Sequence, residues 1–143
     1  MSTPSNIEKF NKITGVVLAS LYESFPVKKS FLVETLFPET SLEPDWSDIP
    51  QINHDAIFVT ETISWLVEHQ YISANIQYGY SFSDVVLTAK GLELLKLTPN
   101  SLEPSLGDQL VKAVKSGTKD IIVNVSSSVL TTGIALLNKS LFG

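Results

Sequence analysis

The 143-residue chain contains neither cysteine nor arginine. Without cysteine it has no disulfides, no thiolate metal sites and no cysteine nucleophile, a composition compatible with a reducing compartment. Without arginine its ten basic residues are all lysine, so the planar fork that grips phosphate or guanine through two parallel bonds is missing. Histidine is scarce too, with only His54 and His69. There is no glycine-rich phosphate loop, no His-Glu-X-X-His zinc helix and no nucleophile elbow. The expected protein is therefore non-enzymatic and free of cofactors and metals. The start, Met1 to Asn6, lacks the basic and apolar regions of a secretory signal. A cytoplasmic location is expected, and the Asn-X-Ser sequons at Asn124 and Asn138 read as chance matches.

What is present is acidic. Fifteen Asp and Glu against ten Lys give a formal charge of −5, and the charge is unevenly placed. Residues 1–100 hold six Lys and twelve acids, a sum of −6, whereas residues 101–143 hold four Lys and three acids, a sum of +1.

Apolar periodicity organises the first hundred residues. Ser5 to Glu8 spells a capping box, and Ile7, Phe10, Thr14, Val17, Leu18, Leu21 and Phe25 then recur on one helical face until Pro26 stops it. Residues Lys28 to Phe37 are expected to hold a short second helix burying Phe31, Leu32 and Leu36. An acidic loop punctuated by Pro38, Pro44 and Pro50 follows. A third helix is expected from about Asn53 to Gln70, with Ala56, Val59, Ile63, Leu66 and Val67 inward and Glu61, Ser64 and Glu68 outward. Phe58, Trp65 and His69 share a second flank of it and are expected to pack on the second helix or the C-terminal tail. From Tyr71 to Leu87 the pattern turns to β-branched and aromatic residues, a hairpin with its tip near Gly79. Thr88 then caps a fourth helix through about Leu97, with Leu92, Leu94 and Leu95 as its inward residues, before Pro99 and Pro104.

Helix, helix, helix, hairpin, helix, closing on the strand-to-helix stretch Leu87-Thr88-Ala89-Lys90-Gly91-Leu92-Glu93-Leu94-Leu95, resembles the winged-helix superfamily over roughly residues 6–97. The fold class that follows is mainly α with a small antiparallel β-hairpin. It comprises a winged-helix-like domain (1–98), a linker (99–104) and a C-terminal amphipathic and apolar helical segment (105–143). The resemblance implies a third helix suited to the major groove and a wing lying over the backbone, although the superfamily also includes protein-interaction modules, so fold alone does not decide function.

Charge argues against DNA. No Lys or Arg lies between Asn53 and Gln70, where Asp55, Glu61 and Glu68 stand instead, and a carboxylate facing phosphate adds repulsion where counterion release should supply affinity. The wing offers Tyr78, Tyr80 and Phe82 with Asp84 as its nearest charge. Such rings complete a core or form a protein-binding patch more readily than they stack on bases without a cationic groove. Asp45, Asp48, His54 and Asp55 crowd around Trp46, but their spacing matches no metal motif and reads as a solvated loop.

The C-terminal segment begins with a second capping box, Ser105-Leu106-Gly107-Asp108, and continues at near-helical intervals through Leu106, Leu110, Val114, Ile121, Val125, Val129, Thr132 and Leu136. Unbroken it would run about 50 Å, with Gly117-Thr118 as the natural break. Ile121 to Leu137 is uncharged over seventeen residues, but its Asn, Ser and Thr content makes it a poor membrane span. Small residues at Ser126, Ser127, Gly133 and Ala135 permit close helix approach, so the segment can pair with its own copy, fold back on the domain or dock on another partner.

The expected function is a non-enzymatic protein-interaction module, an adaptor, assembly subunit or inhibitor. Its expected partners are a protein, basic by charge complementarity, and a second copy in a homo-oligomer. The candidate binding residues are Glu61, Glu68, Tyr78, Tyr80, Phe82, Leu110, Val114, Ile121, Val125, Val129 and Leu136. One alternative is a DNA-binding regulator that dimerises through the C-terminal helix and gathers Lys28, Lys29, Lys90 and Lys112 on one side. Another is peripheral membrane attachment through residues 106–141.

Overall fold

The helix α1 (Asn6–Ser24) runs through the middle of the molecule and is buried on more than one side. The computed structural model describes residues 6–32, 54–77, 81–98 and 102–142. After α1 come β1 (Lys29–Leu32), α2 (His54–Glu68), β2 (Ile72–Gln77), β3 (Ser81–Leu87), α3 (Ala89–Lys96), α4 (Leu106–Ser116) and α5 (Lys119–Phe142). The strands form one antiparallel sheet in the order β1-β3-β2. The fold is mainly helical with a small sheet, consistent with a winged-helix-like arrangement in general terms.

Two expectations for the first third need revision. Residues 29–32 form a strand, not the start of a helix: β1 pairs with β3, and Phe31 sits opposite Phe82 in the register. Local pattern favoured a helix, but a free edge of β3 offers this segment both backbone partners and a buried place for Phe31, and such tertiary gains override weak propensity. Residues 33–37 of the expected helix, Ser5 of the first capping box and the acidic loop with Asp45 and Asp48 lie outside the described residues, as do the side chains of His54 and Asp55. The second revision concerns α1. Ile7 and Phe25, the ends of its expected apolar stripe, are exposed, while Asn11, Ile13, Gly15 and Ala19 are buried. A single stripe suits a helix packed on one side, but α1 meets α2 and β3 as well as α4 and α5.

The strand-to-helix closure follows its expected form. The Thr88 hydroxyl accepts the Gly91 N–H at 3.0 Å, capping α3. The Thr88 N–H donates to the Tyr71 carbonyl at 3.2 Å, which fixes the cap to the turn that leaves α2. That turn is a Schellman motif: the N–H of Tyr71 bonds Leu66 O and that of Gln70 bonds Val67 O, with Gln70 in the left-handed region at φ 67°. Leu94 and Leu95 are fully buried and Leu92 packs at the rim of the core.

The C-terminal segment breaks where its glycine stands. Ser105 caps α4 by accepting the Asp108 N–H at 3.1 Å, and Gly117, at φ 71°, ends it with its N–H on Val114 O. Only glycine adopts that conformation without cost, so one long helix becomes a hairpin of two. Both pack on α1. Leu106, Leu110, Val129 and Leu130 belong to the same core as Leu18, Ile63 and Leu95, and the connection before α4 closes through the Leu106 N–H on Leu97 O at 2.8 Å.

At the crossing of α1 and α5 the backbones come close, because a Cβ built at Gly15 would land on the Ser126 hydroxyl. Among the described residues the buried hydroxyls of Ser126 and of Thr14, the neighbour of Gly15 on α1, meet no hydrogen-bond partner. An orphaned buried hydroxyl costs about 1–3 kcal/mol. Ser126→Ala, which keeps the Cβ and removes the orphan, is therefore expected to raise unfolding free energy by about 1 kcal/mol. A shift of the urea midpoint to lower concentration would contradict it.

Candidate interaction surface

The candidate residues separate into three groups. Glu61 and Glu68 lie on the solvent side of α2, where the sequence places them. Phe82 is 1% exposed in the middle of the sheet, and Leu110 and Val129 are fully buried against α1. These three fill the protein's own core and present nothing to a partner. The reason is tertiary: Phe82 lies opposite both Phe31 and Ile76, and the apolar stripe of α4 and α5 is satisfied by folding back. Val114 and Val125 pack at the edge of that core. Ile121 is 45% exposed. Tyr78 and Tyr80 lie outside the described residues, as does the side chain of Leu136.

Folding back leaves α5 with an outer face. Ile121, Asn124, Ser127, Ser128, Thr131, Ile134 and Ala135 are exposed along it, with Ile134 at 54%. The hydroxyls of Ser128 and Thr132 donate to carbonyls one turn back, at 3.2 and 2.9 Å, so these polar side chains are partly satisfied within the helix itself. No charged side chain stands between Asp120 and Lys139. Below this helix, Lys119 meets Glu8 at 3.8 Å and Lys115 meets Glu23 at 3.1 Å. Both pairs are solvent-exposed and tie the hairpin to α1 weakly, at about 0–1 kcal/mol each.

Among the described residues the second flank of α2 packs on α1 and on the turn after α2; residues 33–37 of the expected second helix lie outside them. Phe10 of α1 meets Trp65 edge-on at 5.1 Å, His69 tilts over Trp65 at 4.1 Å, and Tyr71 stacks at 6.1 Å. The Lys9 ammonium sits 5.9 Å from the Phe58 ring. So α1 and the turn after α2 receive this flank. Helical spacing identified Trp65 and His69 as neighbours, but Phe10 is 55 positions away and nothing local announces it.

Tyr71 is the hub. The residue is 3% exposed, its ring lies under the Lys90 ammonium at 4.4 Å, and its hydroxyl faces Gly133 of α5. Lys90 also donates to the His69 carbonyl at 3.0 Å. Burial pushes the Tyr71 phenol above its ordinary value. Above about pH 10, where an unfolded tyrosine ionises, the folded chain holds its proton longer than the unfolded one, so stability falls as pH rises. Tyr71→Phe is expected to flatten that alkaline loss. An equal loss in both proteins, read by urea denaturation between neutral and alkaline pH, would contradict it.

Among the described residues no group of three or more His, Asp or Glu could hold a metal ion, and no helix is long and apolar enough to cross a membrane. An open groove of about 310 Å³ is lined by Ala89, Leu92, Glu93, Lys96 and Leu97, all on α3 or its C-cap. No protein-family model, curated protein or solved structure matches this chain.

Proposed function

We propose that the protein is a non-enzymatic interaction module that docks a protein partner on the outer face of α5, with the acidic face of α2 steering a basic partner toward it. The observation that carries this reading is the solvent face of α5, which runs from Ile121 to Ala135 without a charge and exposes Ile121 and Ile134 by about half. An exposed helix face ordinarily carries Lys and Glu, whereas the centre of an interface is depleted in them. Glu61 and Glu68 on α2, in a chain of −5, supply a field that attracts a cationic surface.

Two facts weigh against the DNA-binding alternative. The exposed side of α2 carries carboxylates and no cation, and two of the lysines that would have to face phosphate are engaged, Lys90 with His69 O and Tyr71, Lys29 with the Ser20 hydroxyl at 3.2 Å.

The test is capture and crosslinking from nuclease-treated extract with the full chain, the pair Thr131→Lys/Ile134→Lys and the pair Glu61→Lys/Glu68→Lys. The expected result is a basic protein that crosslinks to α5, is lost with the first pair, and is held more weakly with the second, the more so at low salt. Recovery of nucleic acid by untreated extract alone, or of anionic vesicles in place of protein, would overturn the reading in favour of a regulator or a membrane-surface protein.

A further inference from the structure

The turn that joins α1 to β1 is exposed at six consecutive positions, Phe25-Pro26-Val27-Lys28-Lys29-Ser30. Val27 is 67% exposed and Phe25 37%. Turn tips in water are ordinarily built of Gly, Asn, Asp, Ser and Pro, whereas this one sets Phe, Pro and Val at its tip and two ammonium groups directly after them.

Further cations lie beside it. The Glu23 carboxylate, two residues before Phe25, meets the Lys115 ammonium at 3.1 Å, which brings the last turn of α4 to this end of α1. Lys112 stands one turn earlier on the same side of α4 and is exposed. The acids of the neighbouring elements do not cancel these charges. Glu23 is paired with Lys115. Asp84, next to the register partner of Lys29, accepts the Asn75 amide on the far strand at 3.1 Å. Asp108 lies at the other end of α4, about 10 Å along the axis from Lys115. Among the described residues no carboxylate pairs with Lys28, Lys29 or Lys112. In a chain of −5 this corner is basic.

We infer that this corner docks the protein on an anionic lipid surface, with Phe25, Pro26 and Val27 entering the headgroup layer and Lys28, Lys29, Lys112 and Lys115 facing acidic headgroups. One or two apolar side chains hold a bilayer weakly, and adjacent positive charge supplies the second signal that reversible attachment needs. Lysine suits such a boundary because its stem lies along the apolar layer while its head stays in water. Other anionic surfaces fit less well. A protein partner ordinarily covers roughly 800 Å² on each side, far more than three tip residues offer, and among nucleic-acid phosphates the exposed Val27 has no counterpart. Lys29 donates to the neutral Ser20 hydroxyl at 3.2 Å and keeps its charge. A membrane potential acts over a Debye length and not through one bond, so that contact does not remove Lys29 from the role. The apolar stripe of α4 and α5 takes no part, being covered by α1, and the partner face on α5 shares no residue with this corner.

Sedimentation of the full chain with vesicles of phosphatidylcholine containing about one-third phosphatidylserine, and with phosphatidylcholine alone, tests it at low and physiological salt. The expected result is reversible binding to the acidic vesicles, weakened by salt and absent with the neutral ones. Lys28→Gln/Lys29→Gln weakens it about twentyfold or more, at about fivefold per lysine, and Val27→Ser weakens it about tenfold. Glu23→Gln leaves the Lys115 charge uncompensated and tightens binding about fivefold, a gain that is read even if the other variants do not fold. No binding at low salt, equal binding to both vesicles, or equal binding by the unaltered chain and all three variants would each overturn the inference. So would retention of polyglutamate or duplex DNA in place of vesicles. Lys28→Gln/Lys29→Gln is expected to keep capture of a protein partner by α5, so each surface fails or stands on its own result.

Discussion

A chain ended after Thr98 is expected to be unfolded under conditions where the full chain is native. Truncation removes α4 and α5, and with them Leu106, Leu110, Ile122, Val129 and Leu130, all under 10% exposed. Burying a large apolar side chain contributes about 1.5–3 kcal/mol, so these five represent roughly 8–15 kcal/mol, comparable to the roughly 5–15 kcal/mol that separates a typical native domain from its unfolded state. The loss is compounded on the other side of the interface. Gly15, whose missing Cβ makes room for Ser126, Ile122 and Leu110, would face solvent together with the flank of α1 around it. The expected signature is loss of near-ultraviolet dichroism and of any cooperative thermal transition. A truncated chain that melts cooperatively, with dispersed amide resonances, would show that the first 98 residues hold a core of their own. For this reason the binding experiments above use the full chain with point substitutions.

The second large effect is expected at Gly91. A Cβ built there falls on the Tyr71 carbonyl oxygen, a backbone atom that already accepts the N–H of Thr88. Backbone cannot swing aside as a flexible side chain can, so Gly91→Ala must push α3 away from the turn after α2 and strain the Thr88 cap with it. The expected cost is about 3 kcal/mol, the upper range for inserting one methyl into a packed site. Gly117→Ala is the instructive comparison. There the new methyl meets open space and the only penalty is the left-handed backbone at φ 71°, about 1 kcal/mol. A urea series in which Gly117→Ala proved the more damaging of the two would mean that α3 does not sit as close to Tyr71 as described. Both variants leave the outer face of α5 unchanged, so each is expected to retain the proposed partner capture wherever it remains folded.

Local rules made much of the chain legible. Thr88 and Ser105 are helix caps because a hydroxyl three residues ahead of an N–H satisfies it in any context, and Gly117 ends a helix because no side chain opposes its left-handed turn. The inward residues of α2, Ala56, Val59, Ile63 and Leu66, were readable from period alone. The candidate surface was less so. Glu61 and Glu68 are exposed as their spacing implies, but Phe82, Leu110 and Val129 are apolar for a reason the sequence cannot distinguish: an interior stripe and a docking stripe have the same pattern, and only the position of α1 reveals that this one is already covered.

Composition fixes the character of the surfaces: an acidic first hundred residues without arginine and a seventeen-residue stretch without charge. These are properties of residue type and order, which folding cannot alter. Contacts between distant segments settled what periodicity left open, namely which apolar stripes are covered and by what. They drew β1 out of a helical pattern onto the free edge of β3, set Phe10 against Trp65 across 55 residues, and turned α4 and α5 back on α1 so that the apolar stripe of the tail became core and its neutral polar side became surface. Each of these outcomes depends on contacts between segments distant in sequence, whose gain in buried area outweighs any preference a local window can express.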